Sequence, residues 1–342
     1  VAFAAVSAYR PPVPAATQVR QKVLGFTLTL TAIAYLDRVC IAMAAPEMKA
    51  ELGLSDVQMG WVFSAFTIAY AAFEVPSGWL ADRFGARLML ARIVVWWSAM
   101  TAATGAVWNL SSLIAVRFLF GVGEAGCFPS MARAYARWLP VRERGRAFGL
   151  TLMAGALGGA LSQPLVVALL EWMHWRHTFY AFGALGLVWA VFWLAWFRDD
   201  PHTHPGVNRA ELALIGSPPA ESHRGVPWGR LLRDRNLLAI CAMYLFAIYG
   251  WYFYLTWLPT YLLRARGFDL HQVGWLAALP LLSIAAGVLA GGWVSDLLAR
   301  RWGVRAGRRA PGVIGLPLAA AAIVAGIFTP TAGSAALLFA AA

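Results

Sequence analysis

An all-α membrane protein, arranged as two bundles of six helices, is what this sequence predicts, and three observations predict it. Apolar residues fill 60% of the 342 positions and charged residues only 13%, too little charge to cover a soluble protein of this length. Charge-poor apolar runs of about 20 residues recur along the chain, the length needed to cross a bilayer core of roughly 30 Å. A polar stretch separates two sets of these runs, and one short motif recurs in each set. In lipid every backbone polar group must be paired inside the protein, which leaves helices or a closed barrel. Barrel strands alternate over about 10 residues, and these runs are continuously apolar, so helices are expected.

Taken in order, spans are expected at 22–45, 57–81, 86–107, 110–134, 146–171, 176–197, 236–263, 272–297 and 312–330. A tenth begins near Ser334 and reaches Ala342, so the second bundle is expected to be incomplete, with about nine helices and the start of a tenth in all. Residues 1–21, with Pro11, Pro12 and Pro14, read as a cytoplasmic tail and carry no small-residue cleavage site. With the N-terminus inside, 22 of the 28 basic residues fall on that side, Lys49, Arg176, Arg264 and Arg266 fall on the other, and Arg38 and Arg117 lie within spans. This bias places the N-terminus in the cytoplasm of an inner (plasma) membrane protein. The formal charge of +12 is therefore an orientation signal, and no nucleic-acid partner is expected. Cys40, Cys127 and Cys241 sit in expected helices without CxxC spacing, so neither a disulfide nor a metal site is expected. No cofactor is implied. No H-E-x-x-H, G-x-S-x-G or phosphate loop occurs, which argues against an enzyme.

The domain plan follows from the breaks. Residues 1–21 form the tail, 22–197 the first bundle, 198–235 a polar cytoplasmic connection opening on Arg198-Asp199-Asp200-Pro201, and 236–342 the second bundle. Gly78-Trp79-Leu80-Ala81-Asp82-Arg83-Phe84-Gly85-Ala86-Arg87 follows the second helix, and Gly292-Trp293-Val294-Ser295-Asp296, then Arg300 and Arg301, follows the eighth. Six helices separate the two, as a duplicated six-helix unit requires.

Charges inside spans are expensive, roughly 2.5–3.5 kcal/mol each on insertion scales, and usually face a cavity or a partner. Asp37 lies about 21 Å along the first helix. Asp37 and Arg38 point about 100° apart, so they do not fully satisfy each other and are read as having different jobs; a structural ion pair is the plain alternative. Arg117 and Glu124, seven residues apart, return to one face of the fourth helix roughly 10 Å apart in height. A cation and an acid on one stripe fit a path for an anion and a proton, and guanidinium holds a carboxylate through two parallel hydrogen bonds. A packing network joining them to Asp37 and Arg38 is the alternative. Gly121-Val122-Gly123-Glu124-Ala125-Gly126 matches G-x-G-x-x-G, but no strand precedes it and nucleotide binding is not expected. Gly155 and Gly159, and Gly287 and Gly291, have the spacing of close helix packing. Asp82, with Arg83 and Arg87, reads as a latch at a helix end, and Glu74 as part of the same polar cluster.

The Gly78–Arg87 motif resembles the signature loop of the major facilitator superfamily, and Arg117, Gly121, Gly123, Glu124, Ala125 and Gly126 match its fourth helix. Tyr35-Leu36-Asp37-Arg38, Ala42–Pro46, Phe63-Ser64-Ala65-Phe66, Trp257-Leu258-Pro259-Thr260-Tyr261 and Arg198–Pro201 make the chain similar to the anion:cation symporters within it. The resemblance implies Asp37 and Glu124 as proton sites and Arg38 and Arg117 as anion contacts. It implies Gly78, Asp82, Arg83, Gly85, Arg87 and Asp296 as a conformational latch. Tyr70 falls at a substrate position, and Tyr249 and Tyr252 are expected to reach sugar-acid hydroxyls. Gly155 departs from the polar residue that sugar-acid carriers have there. The expected activity is proton-coupled symport of a small organic anion (a sugar acid, hexuronate or dicarboxylate) by a monomer in the lipid bilayer. Anion exchange, sodium coupling and a non-transporting sensor or inactive remnant are the competing readings.

Overall fold

The computed structural model describes residues 15–216, 228–329 and 331–341. Most of the expected tail, with its three prolines, and 217–227 of the expected connection lie outside the described residues. The first helix, α1 (Val19–Leu52), begins three residues before the expected span and ends where Gly53 takes φ 65° and returns its amide to the Lys49 carbonyl. Such a left-handed cap is cheap only for glycine.

Helix α2 (Asp56–Thr104) is started by a capping box in which Ser55 and Gln58 exchange side-chain and backbone bonds. It contains both the second and third expected spans, joined at Gly85, which has φ 84° and ψ 161°. The chain reverses there. Gly121 lies against Phe66 and Ala69 while Gly123 lies against the Trp96 ring; a straight helix would hold Phe66 and Trp96 about 45 Å apart. The expected loop thus shrinks to one residue, because a glycine in this conformation needs no further chain to turn.

The fourth expected span is two helices, α3 (Leu110–Glu124) and α4 (Cys127–Trp138), separated by Ala125 and by Gly126 at φ 88°. A side chain on Gly126 would run into Ser77, so this break is also how α3–α4 approaches α2. Helices α5 (Val141–Trp172) and α6 (Trp175–Trp196) complete the first half.

The connection is not a loose strap. Pro201–Thr203 form a 3₁₀ turn, and α7 (Arg209–Ile215) docks beneath α1. Buried Glu211 accepts from the Val19 and Arg20 amides at 3.1 and 3.0 Å, the Thr17 hydroxyl at 2.5 Å and the Arg20 guanidinium at 3.2 Å. It therefore supplies to the start of α1 the acceptors that its own N-cap residue Gln18 does not. Arg20 also reaches Glu143 on α5 at 3.4 Å.

After the short α8 (Trp228–Leu231) come α9 (Arg235–Tyr252), a π-helical turn at Phe253–Trp257 and α10 (Leu258–Ala265), together the seventh expected span. Helix α11 (Leu270–Phe328) holds the eighth and ninth, with Gly303 at φ 82° and ψ 157°. Gly307 lies back against Ala299, so this helix also reverses. The two hinge glycines share one backbone conformation to within a few degrees, extending the sequence echo to geometry. Helix α12 (Ala332–Ala341) is the last described. Among the described residues, six helical stretches are long and apolar enough to cross a membrane by length and composition.

The halves touch at the end bearing Lys49, Asp56 and Arg264. Phe63 meets Trp257 at 5.7 Å and Tyr35 meets Trp251 at 5.9 Å, both edge-on. On α5, Gly155 and Gly158 pack against Tyr35 and Ala32, and Gly159 against Tyr35 and Leu281 of α11. The expectation for Gly287 and Gly291 needs correction: nothing lies within 4 Å of where their side chains would be. They sit further along α11, toward the end with the N-terminus, where the halves diverge.

Candidate anion site

Four buried charged side chains of the first half gather in one cluster, apart from Lys49 at the end of α1. Asp37 and Arg38 come from α1, and Arg117 and Glu124 from α3; all four are below 9% exposure. Arg38 donates to Glu124 Oε1 through Nη2 at 2.6 Å and Nε at 2.9 Å. Its guanidinium is held among aromatic faces, with Tyr35, Phe66 and Tyr70 at 5.0–5.3 Å. Arg117 lies over Phe120 at 4.4 Å and Phe66 at 5.1 Å. Phe66 is thus the spacer between two buried cations, and cation–π attraction offsets part of their desolvation.

Pairing is unequal. Glu124 takes Arg38, while its Oε2 and the Arg117 Nε make no hydrogen bond among the described residues, and Asp37 has the Thr101 hydroxyl beside it and no guanidinium bonded to it. Asp37 lies in the fields of Arg117 and Glu124. The one-stripe reading of Arg117 and Glu124 is therefore only half of the arrangement, because Glu124 sits at the end of α3 and crosses to α1. Asp37 and Arg38 do not pair with each other: Arg38 binds Glu124, and Asp37 has no ion pair among the described residues.

Opposite the arginines stands the π-turn. Arg38, Arg117, Phe66, Tyr252 and Thr256 border a void of only about 10 Å³, room for one water. Seating an organic anion requires the α9–α10 side to draw back. A larger cavity of about 430 Å³ lies between α1 and α5 toward the N-terminal end, bordered by Arg20, Glu143 and Arg146.

The other expected residues distribute as follows. Tyr70 and Tyr252 join the cluster. Tyr249 does not: it is 82% exposed, since α9 buries none of its residues and the π-turn that follows is what swings Tyr254, Leu255 and Thr256 inward. Glu74 faces Tyr70 and Arg38 and does not belong with Asp82. Within the latch motif, Gly78 packs on Pro129, and Asp82 bonds Arg133 at 3.2 Å inside the same half. Arg83 lies over Trp79 and Phe84. Arg87 gives its amide to Asp199 at 3.0 Å and its guanidinium to the Leu194 carbonyl, and a side chain on Gly85 would strike Asp199. Asp296 pairs with Arg308 at 2.7 Å across the second hairpin. The sequence reading missed the Glu211 cap and the Asp56 bridge described below; the acids of the 198–235 connection and the Ser55-Asp56 helix start were the available signals.

Several membrane-length helices around a buried charge cluster, with the two halves parted at one end, define the class as a polytopic membrane carrier. The Major Facilitator Superfamily model matches residues 27–342, and the chain belongs to that superfamily; it is a membrane transporter and not an enzyme. It is 38% identical over 326 residues to the probable sulfoacetate transporter SauU of Cupriavidus necator, covering 93% of this chain and 75% of that one. It is 34% identical to the probable galactarate/D-glucarate transporter GudP of Bacillus subtilis, covering 90% and 72%. It is 30% identical to the D-galactonate transporter of Escherichia coli O6:H1, covering 89% and 74%. Among solved structures, a bacterial homologue of the human lysosomal transporter Spinster, inward-facing and occupied, superposes with a TM-score of 0.69 at 22% identity over 94% of this chain and 70% of that one; this likeness concerns the fold.

Proposed function

We propose that the chain carries a small organic dianion across the inner membrane together with protons, by alternating access, with its N-terminus in the cytoplasm. The observation that carries this reading is Arg117, 3% exposed, flanked by rings and without a carboxylate bonded to it among the described residues. With both acids charged, the cluster of two arginines and two carboxylates is neutral. Protonating Asp37 and Glu124 frees Arg38 from its carboxylate and leaves two positive charges, which one dianion neutralises. Two of the three relatives described above are named for substrates with two acidic groups, sulfoacetate and galactarate, and the third for galactonate, which has one. Gly155, which lets the Tyr35 ring lean onto α5 beside Arg38, favours the smaller of them. The 22 basic residues on the N-terminal side support the orientation.

The test is uptake into proteoliposomes of sulfoacetate, galactarate and galactonate, with and without an inward proton gradient. Accumulation that needs the gradient supports symport. Uptake that is equal in both conditions rejects coupling, and uptake that needs an internal anion favours exchange.

A further inference from the structure

Four cations lie on the face remote from the N-terminus, and two of them are fixed in place. Arg176 donates to Glu51 and to the Gly105 and Val107 carbonyls. Arg266 donates to Tyr261 and to the Gly326, Ile327 and Thr329 carbonyls. Lys49 and Arg264 differ, because both act on one carboxylate. Asp56 Oδ1 accepts from Lys49 Nζ at the end of α1, and Asp56 Oδ2 accepts from Arg264 Nη1 of α10 at 2.6 Å. The Asp56–Arg264 pair is the ion pair that joins the two halves among the described residues, and it lies where Gly60 and Phe63 meet Trp257.

We infer that Lys49 and Arg264 form an outer anion station, and that Asp56 is its resident ligand, displaced by the carboxylate or sulfonate of the arriving substrate. The inference rests on the proposed anion transport. Its chemistry is visible in the bridge itself, one acid group with an oxygen on each of two cations from different halves. Lys49 is buried and cannot stay unpaired; Arg264 and Asp56 are about half exposed, so their bond is weak enough to exchange. The arriving anion takes the place of Asp56 between Lys49 and Arg264, and with Asp56 released the ion pair between the halves is broken. Entry of substrate and opening of the gate thus become one competition.

A mere strap and a station respond differently to mutation. Asp56→Asn removes the competitor and Arg264→Gln removes half the station, yet both break the same bridge. We test this by uptake of labelled sulfoacetate into cells, and by binding of labelled sulfoacetate and sulfate to the purified full chain. The station requires opposite shifts: Asp56→Asn lowers KM and the dissociation constant several-fold, and Arg264→Gln raises both several-fold. Shifts in the same direction, or none, overturn it. If Asp56→Asn does not fold, Arg264→Glu decides: the station requires weaker binding than in Arg264→Gln, and equal binding overturns it. A wild-type chain that takes up no anion defeats the transport reading; opposite shifts in sulfate binding would still be read in the same variants.

Discussion

Glu124→Gln separates proton coupling from anion binding. Glutamine keeps an oxygen for the Arg38 bonds at 2.6 and 2.9 Å, so the fold is expected to survive, whereas truncation would leave a buried arginine bare at a cost of about 3–5 kcal/mol. The cluster contains two acids and two arginines. If both acids load, each turnover moves two protons with one dianion and no net charge. Each proton contributes about 1.4 kcal/mol per pH unit, so a one-unit gradient drives accumulation to about 100-fold in wild type. With one acid fixed neutral, the limit falls to about 10-fold. The substitution also permanently removes the negative charge that competes for Arg38, so exchange of external for internal substrate should persist and lose part of its dependence on pH. The assay is steady-state accumulation of labelled substrate in proteoliposomes across imposed gradients, beside counterflow in the same vesicles. Wild-type accumulation in Glu124→Gln refutes the role, and loss of counterflow shows that Glu124 matters for binding instead.

Three further outcomes are expected. Arg117→Lys loses the planar fork and its contacts with Phe66 and Phe120, raising KM about tenfold, roughly 1.4 kcal/mol; concentration-dependent uptake reads it. Glu211→Ala removes the acceptor for two α1 amides and for Arg20, which keeps Glu143, so a loss of about 2–3 kcal/mol is expected, seen as faster tryptic cleavage after Arg209. His204 lies against Trp138 and Trp196, and burial, then Arg198, holds its imidazole below the ordinary value of 6.5. The folded chain therefore binds that proton less readily than the unfolded one. The contribution is complete above pH 6.5 and is lost as the pH falls from there through the lowered folded value; thermal unfolding of wild type should show this loss and that of His204→Gln should not.

Much of the site was legible because membrane burial makes charge conspicuous. Asp37, Arg38, Arg117 and Glu124 stand out of apolar runs, and each lies in the cluster. Their pairing was not legible: helical periodicity relates residues on one helix, while the Arg38–Glu124 bond joins two helices whose approach depends on Gly121, Gly123 and Gly126. Helix ends were misjudged where glycine acts as the whole turn. The sequence pattern suggests a loop at 82–85 and a longer one at 298–311, yet Gly85 and Gly303 each reverse the chain alone. Nothing in the sequence says which face of α9 turns inward; Tyr249 lies on its exposed surface, ahead of the π-turn at Phe253–Trp257.

That shift bears on which half moves. Arg38 and Arg117 are fixed by rings, by Glu124 and by the close α2–α3 contact, so they cannot follow a substrate far. The opposing wall is made differently. Thr256 in the π-turn turns its hydroxyl back to the Tyr252 carbonyl at 2.5 Å, and Pro259 opens α10 without an amide to donate. A wall with an irregular helical turn and few anchors yields before a charged platform does. Opening of the 10 Å³ void is therefore expected to come from movement of α9–α10 away from α1 and α2 at the contact of Phe63 and Trp257, next to Asp56 and Arg264. The outer bridge and the inner void then lie on the same moving element, so release of one bears directly on the size of the other.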